Sequence, residues 1–363
     1  MKVLFVFTHP APYKVDLFNG LAPHVDLTVM FERHSSGFRH PLFYVNANYK
    51  FRAIFLGGIN IGAENHCSRE IIRHLRKNTY DLIIMNGYSS LTEMMTIFYL
   101  QNHGIPYVLY INGGVIHADP KWRFALKRKL VSGAKAFFSP TKHIDSYLLH
   151  YGAEHQRIIH YPYATVFANQ LAKERANAEE RDRLLETYGV PTGAYFISAG
   201  QFISRKNNMQ TLKYWAHSNR SENLLLVGSG PDEGGYRQLV KDHKMSNVFI
   251  LSYLPKAKLL PLIHNAIGFI ILSHEDIYGH VVNESLSQGT PVISSPHVMA
   301  SRELLREGKN GFLVNTQDDT SIDKALSYVK THDMFDACVA TSAAYTIEAM
   351  VTHHLEAFKK LVK

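Results

Sequence analysis

Short, continuous apolar runs alternate with amphipathic stretches along most of the chain. Runs such as Val3-Leu4-Phe5-Val6-Phe7 carry no polar alternation, so they read as strands covered on both faces, the mark of a parallel sheet. The pattern predicts strands at 3–7, 26–31, 81–85, 107–111 and 136–139. It predicts helices at 15–21, 67–77, 91–102 and 121–132, with Ile71, Ile72 and Leu75 on one face of the second. Residues 169–193 are charged, helical in pattern and poor in aromatics, and Val190-Pro191-Thr192-Gly193 ends them; they read as a linker. A second alternation follows. It predicts strands at 194–199, 224–227, 248–251, 269–272, 291–294 and 312–314, and helices at 236–244, 283–288 and 321–330. A last helix, 347–361, puts Met350, either His354 or Leu355, and Phe358 on one side. The fold class is therefore α/β: two doubly wound Rossmann-like domains, 1–168 and 194–344, facing a central cleft. Ligands of such sheets bind beyond the carboxyl ends of the strands, so the functional residues are expected on the loops that follow them.

Composition narrows the function classes. A chain of 363 residues exceeds the ~250–300 that one core serves. With 46% hydrophobic and 19% charged residues, intrinsic disorder is excluded. Cys67 and Cys338 are isolated, which offers neither a disulfide framework nor a zinc spacing and implies a reducing, cytosolic compartment. The apolar run 3–7 is too short for a signal peptide, and no window approaches the ~18–20 residues of a membrane span.

The formal charge of +8 lies entirely in residues 1–165, while the remainder is balanced. Such asymmetry suits an anionic partner (phospholipid, polyphosphate or nucleic acid) or a solubilising surface. Segment 119–135 concentrates Lys121, Trp122, Arg123, Lys127, Arg128, Lys129 and Lys135, with Trp122, Leu126 and Leu130 at helical spacing. That pattern fits peripheral contact with an anionic membrane, and equally a core-facing stripe with a solvated basic face.

The most informative segment is 273–289, SHEDIYGHVVNESLSQG, followed by TPVIS. It reads strand, acidic turn, glycine, short helix, glycine, strand. Seven residues separate Asp276 from Glu284. Gly279, His280 and Val281 stand where the helix begins, and the free N–H groups and dipole of a helix start attract a phosphate. Gly279 permits close backbone approach. The carboxylates of Asp276 and Glu284, which only accept hydrogen bonds, suit a hydroxyl-rich ligand such as a sugar and a ribose diol. An N-capping acid and a solvated glutamate would account for the same two residues.

This acid, seven residues, Glu, helix and Gly-x-Pro-Val-Ile order resembles the signature of family-4 retaining glycosyltransferases of the GT-B fold. Ser198-Ala199-Gly200-Gln201 with Lys206-Asn207 is similar to that family's Gly-Arg…Lys segment. Leu226-Val227-Gly228-Ser229-Gly230-Pro231 is similar to its Val-Gly-x-Gly-Pro turn, and Arg302-Glu303-Leu304 with Gly308-Lys309-Asn310-Gly311 to its Glu-Leu…Gly-x-Asn-Gly element. The likeness is specific over 194–315 and looser over 1–165. Two positions depart from it: Asp276 stands where the family has Glu, and Gln201 where it has Arg, with Arg205 beside Lys206 as a compensating cation.

The resemblance implies transfer of a sugar, with retention, from a UDP- or GDP-sugar to a saccharide or lipid-linked acceptor in capsular or exopolysaccharide assembly, without cofactor or metal. The chain has no Asp-x-Asp triplet. The resemblance makes Lys206, Asp276 and His117 (in Asn112-Gly113-Gly114-Val115-Ile116-His117) catalytic. It assigns donor binding to Arg205, Lys206, Gly228, Asp276, Gly279, His280, Val281 and Glu284. His9, Tyr13 and Tyr88, on loops after strands, face the acceptor, although the family's Gly pair is missing from His9-Pro10-Ala11-Pro12-Tyr13-Lys14. Residues 345–363 are expected to pack back on the first domain. Two other classes compete less well. A nucleic-acid or polyanion binder predicts aromatic platforms interleaved with Lys and Arg on strands, which are not evident. A dinucleotide oxidoreductase requires Gly-x-Gly-x-x-Gly after the first strand, which is missing.

Overall fold

The protein is described by a computed structural model covering residues 1–35, 41–44, 48–62, 65–218 and 220–362. The chain divides into two compact units, Met1–Tyr163 with Ile347–Lys363, and Ala164–Thr346.

The first unit contains β1 (Lys2–Phe7), β2 (Asp26–Phe31), β3 (Arg52–Phe55), a small hairpin β4 (Ile59–Ile61) and β5 (Asn65–Cys67), then β6 (Leu82–Met85), β7 (Val108–Tyr110), β8 (Ala136–Ser139) and β9 (Ile158–His160). Its main sheet has the order β3-β2-β1-β6-β7-β8-β9, every pair parallel. The strand order reverses between β1 and β6, which makes that point the natural mouth of the sheet. Helices cover both faces, so β1, β6 and β8 are buried along their lengths and need the unbroken apolar runs seen in the sequence. The terminal helix Ile347–Leu361 belongs to this unit. The Phe358 ring lies 6.2 Å from Phe5, and His354 stacks at 4.8 Å on Phe138. Met350, His354 and Phe358 are the buried row, so the i, i+4 spacing selects His354 over Leu355.

The second unit contains β10 (Tyr195–Gln201), β11 (Asn223–Ser229), β12 (Val248–Leu251), β13 (Gly268–Ile271), β14 (Val292–Ser294) and β15 (Gly311–Leu313), in the parallel order β12-β11-β10-β13-β14-β15. Here the order reverses between β10 and β13.

Several elements differ from the sequence expectation. The helix expected at 67–77 contracts to Glu70–Leu75, because Cys67 pairs with Ile59 in the small hairpin; Ile71 and Leu75 are buried, Ile72 only partly. Segment 169–193, expected as a linker, lies within the second unit. Its helix Ala178–Thr187 starts at Asn177, whose Oδ1 accepts from the Glu180 N–H at 2.8 Å, and it buries Leu185 alone. One buried side chain leaves no apolar stripe to read. Arg175 ties the same segment to Asp333 and Asp336 at 2.7 and 2.8 Å. β3 and the helices Lys142–His150, Asn208–His217, Lys256–His264 and Phe335–Ala343 carried no clear signal, being short or mixed in pattern.

Candidate functional site

The loops after β10 and β13, at the switch point of the second unit, are bonded to each other. The Arg205 carbonyl accepts from the His274 and Glu275 N–H groups at 2.9 and 3.3 Å, and Asn207 Nδ2 donates to the Leu272 carbonyl at 3.0 Å. Asn207 holds a left-handed conformation (φ 53°, ψ 33°), which a short polar side chain tolerates, and it turns the chain into the helix Asn208–His217. This bracing brings Lys206 onto Asp276: the ammonium and Oδ2 form an ion pair, with side-chain exposures of 17% and 8%. The Asp276 backbone is fixed in turn by donation of its N–H to the His297 carbonyl at 3.1 Å.

Three residues further on, Gly279 caps the helix His280–Ser287 with φ 90° and ψ 57°. A Cβ there would lie 2.5 Å from Val298 Cγ1, so glycine is required for shape as well as for backbone angle. The cap makes no side-chain hydrogen bond to the helix start. The helix start lies next to Asp276, since a Cβ on Gly279 would stand 3.5 Å from Asp276 Oδ2, and the dipole adds positive potential there. A cation next to a helix start is an arrangement for anionic oxygens.

Glu284 sits one turn along the same helix and is half-buried. Thr165 Oγ1 donates to its Oε1 at 2.8 Å, and the Thr165 carbonyl accepts from Lys256 Nζ at 2.5 Å. Burial pushes the Glu284 carboxyl above its ordinary value, while the Lys256 charge and the Thr165 hydroxyl pull it back. Thr165 and Lys256 were not foreseen. Lys256 stands at the first position of a helix behind Pro255, which is a legible helix start; nothing local marks Thr165. The adjacent Asn283 donates to the Tyr345 carbonyl at 2.8 Å and accepts from Ser342 at 2.8 Å, which anchors the helix.

Gly228, expected among the donor-binding residues, stands near the carboxyl end of β11. It pairs with Gly200 across β10 and β11, and a Cβ on it would overlap the Gly200 carbonyl oxygen. It lets two backbones meet. Beside it, a hollow of about 350 Å³ is lined by Ser204, Asn207, Asp232, Tyr236 and His274, next to the Lys206 loop. A larger hollow of about 580 Å³, around Arg220, Glu222 and Lys330, lies at residues preceding β11, the amino end of the sheet, where doubly wound folds do not bind their ligands.

The first-unit candidates occupy separate places. His117 is exposed on the loop after β7. His9 Nδ1 and Tyr44 Oη are 3.2 Å apart, and the Tyr13 ring meets Tyr163 edge-on at 5.9 Å. Tyr88 is turned inward, its hydroxyl 2.5 Å from that of Tyr147, and burial pushes its pKa far up. The loop bearing His117 is held from below. Asp119 accepts from Tyr151 at 2.5 Å and from Lys127 at 2.8 Å, and Lys14, buried at the switch point, reaches Tyr110 Oη at 3.3 Å and Asn112 Oδ1 at 3.4 Å. Nearby stands a buried carboxyl pair. Glu32 Oε1 accepts from Ser90 Oγ at 2.5 Å, and Glu93 Oε2 accepts from the Ser89 and Ser90 N–H groups at 2.7 and 3.1 Å. Burial raises Glu32 to about 7; burial and the Glu32 charge raise Glu93 to about 8. Among the described residues, no three His, Cys, Asp or Glu cluster as metal ligands would, and no helix is long and apolar enough to cross a membrane.

Residues 181–360 match the family described as Glycosyl transferases group 1. No curated protein matches the chain in sequence. Solved structures match it over almost its full length. HepE of Anabaena, in complex with UDP, has a TM-score of 0.79 at 15% identity over 99% of this chain and 100% of its own. A glycosyltransferase from Rickettsia africae has a TM-score of 0.79 at 13% identity, covering 100% and 99%. The lipopolysaccharide outer core galactosyltransferase WaaB reaches 0.70 at 14% identity over 99% of both chains. The two parallel sheets thus have the GT-B fold, residues 181–360 are a glycosyl transferases group 1 domain, and the chain is a glycosyltransferase.

Proposed function

We propose that this glycosyltransferase is retaining and metal-independent, and that it moves a sugar from a nucleotide-sugar to a saccharide or lipid-linked saccharide in cell-surface polysaccharide assembly. The observation that carries this reading is the Lys206–Asp276 ion pair beside the Gly279 helix start, with Glu284 one turn further along the same helix. As the nucleoside diphosphate leaves, negative charge grows on its phosphate oxygens. Lys206, Arg205 and the N–H groups of His280 and Val281 supply fixed positive potential without reorganisation. Asp276 accepts from the sugar hydroxyls and holds the Lys206 ammonium in place. Glu284 accepts from the ribose diol. His117 binds or relays a proton at the transferred sugar, and His9 and Tyr13 face the acceptor. The buried Tyr88 supports its loop from within. A UDP-bound and a UDP-glucose-bound neighbour, both HepE, support UDP as the nucleotide, and WaaB supports a lipopolysaccharide-type acceptor.

Titration with UDP tests the reading. Glu284→Gln weakens UDP by about tenfold, the value of one charge-assisted hydrogen bond. Lys206→Ala slows sugar transfer by about a hundredfold or more, as loss of a charge stabiliser does, and transfer persists in a chelator. Unchanged UDP affinity in both variants removes this site from donor binding.

A peripheral membrane contact is the second reading, and a specific observation favours it. On the helix Lys121–Ser132, Trp122 is 70% exposed while Leu130 is buried, so the stripe divides into a core end and a free aromatic end. Val115 and Ile116 are exposed on the preceding loop, and Lys121, Arg123, Arg128 and Lys129 are exposed around Trp122. Lys127 is committed to Asp119 and Tyr151.

A further inference from the structure

We propose that Lys256 is a positioning residue of the donor site: its ammonium, acting through Thr165, holds the Glu284 carboxylate charged and fixed so that Oε2 can accept from a ribose diol. This inference rests on the reading of Glu284 given above.

The argument starts from the cost of the carboxylate. Glu284 is half-buried on a helix whose adjacent residues Val282, Asn283, Ser285 and Leu286 are all buried. An acid in that setting favours its neutral form, and a neutral carboxyl offers one good acceptor and one unwanted donor to a diol that needs acceptors. The protein opposes this with two groups from two other segments. Thr165 donates its hydroxyl to Oε1 at 2.8 Å, which fixes the rotamer and leaves Oε2 available. Lys256 Nζ donates to the carbonyl of that same Thr165 at 2.5 Å, which fixes the threonine and brings the positive charge that favours ionised Glu284. The ammonium also stands 5.9 Å from the Phe167 ring, so the short segment 165–167 holds it from two sides.

The surroundings contain few rivals. On its own helix, the titratable group one turn before Glu284 is His280. On the helix Lys256–His264, the other titratable groups are Lys258 and His264, and His264 Nδ1 is engaged by the Gln288 carbonyl at 2.9 Å. From the 164–166 segment the Thr165 hydroxyl meets the acid; the two other helices packed on this one, Met299–Leu304 and Phe335–Ala343, carry Arg302, Glu303 and Asp336, the last paired with Arg175. The charge that decides the ionisation of Glu284 therefore comes from Lys256.

The sign of the pH effect follows. As pH falls, Glu284 takes up a proton and loses affinity for the diol. Removing Lys256 moves that loss to higher pH. A lysine that only attracted the diphosphate would instead matter more at high pH, because the terminal phosphate gains its second charge at about pH 6.

The test is isothermal titration of UDP into the full chain between pH 5.5 and 8. The proteins are the wild type, Lys256→Met, Lys256→Arg, Glu284→Gln and the Lys256→Met/Glu284→Gln pair. In Lys256→Met, the loss of affinity relative to wild type is larger at pH 6 than at pH 8, because the carboxyl takes up its proton at higher pH once the ammonium is gone. Lys256→Arg keeps the wild-type pH profile, and serves as the probe if the methionine variant folds poorly. In the Glu284→Gln background, Lys256→Met adds no pH dependence. A loss in Lys256→Met that does not grow as pH falls, or a displaced profile in Lys256→Arg, overturns the positioning role. Wild-type UDP affinity in Glu284→Gln overturns the donor-site reading itself, and the two failures are told apart by that variant.

Discussion

The carboxyl pair Glu32 and Glu93 makes the stability of the first unit depend on pH in an unusual direction. Both side chains are buried, and Glu32 Oε2 and Glu93 Oε1 have no hydrogen-bond partner. Two such acids cannot both ionise cheaply. An unfolded chain releases these protons near the ordinary value of 4.5, whereas the folded chain holds them until about 7 and about 8. The folded state therefore binds more protons between those limits, and its stability falls as pH rises through them. Counting the Glu93 proton only, which the folded chain holds from 4.5 until about 8, at about 1.4 kcal/mol per unit, the loss is about 3 kcal/mol by neutral pH. Glu93→Gln removes that proton, while burial still raises Glu32. Its amide oxygen can accept from the Ser89 and Ser90 N–H groups, and its NH₂ supplies the missing donor. Hydrogen exchange of peptides from β1 and β6 at pH 5.5, 6.5 and 7.5 isolates this unit from the second. The variant gains on the wild type by about 1 kcal/mol per pH unit, and it is the more stable protein at pH 7.5. Parallel stability curves for the two proteins would refute the shared-proton account.

Two other perturbations address the remaining features. Gly228→Ala forces a methyl onto the Gly200 carbonyl; we expect the second unit to lose about 2–3 kcal/mol or more, read as a lower melting temperature, and a melting temperature within a degree or so of wild type contradicts that packing. Replacing Lys121, Arg123, Arg128 and Lys129 with Gln should reduce co-sedimentation with vesicles rich in anionic lipid at low salt, at about 1 kcal/mol per charge, with Trp122→Ala giving a further loss; equal sedimentation of all variants removes the membrane contact.

The alternation of apolar runs in the sequence carries the two parallel sheets, because strands such as β1, β6 and β13 are buried on both faces and tolerate no polar residue there. The spacing of Asp276, Gly279 and Glu284 was legible for a similar reason: a helix start, its glycine and the next turn are local geometry, fixed over a dozen residues. Local pattern also showed Lys206 to be a cation near a strand end. It could not show that Lys206 meets Asp276, because that contact depends on the parallel pairing of β10 with β13, some seventy residues apart, and on the Asn207 and Arg205 backbone bonds that lock the two loops together. The same limit hid the assembly of Thr165, Lys256 and Glu284 from three distant segments. It hid the inward turn of Tyr88 as well, and it left His354 and Leu355 as equal choices until the aromatic floor of Tyr110 and Phe138 selected one. Periodicity reports which face of an element is buried. Only the closed tertiary structure decides what that face meets, since desolvation and hydrogen-bond geometry are properties of the partners together.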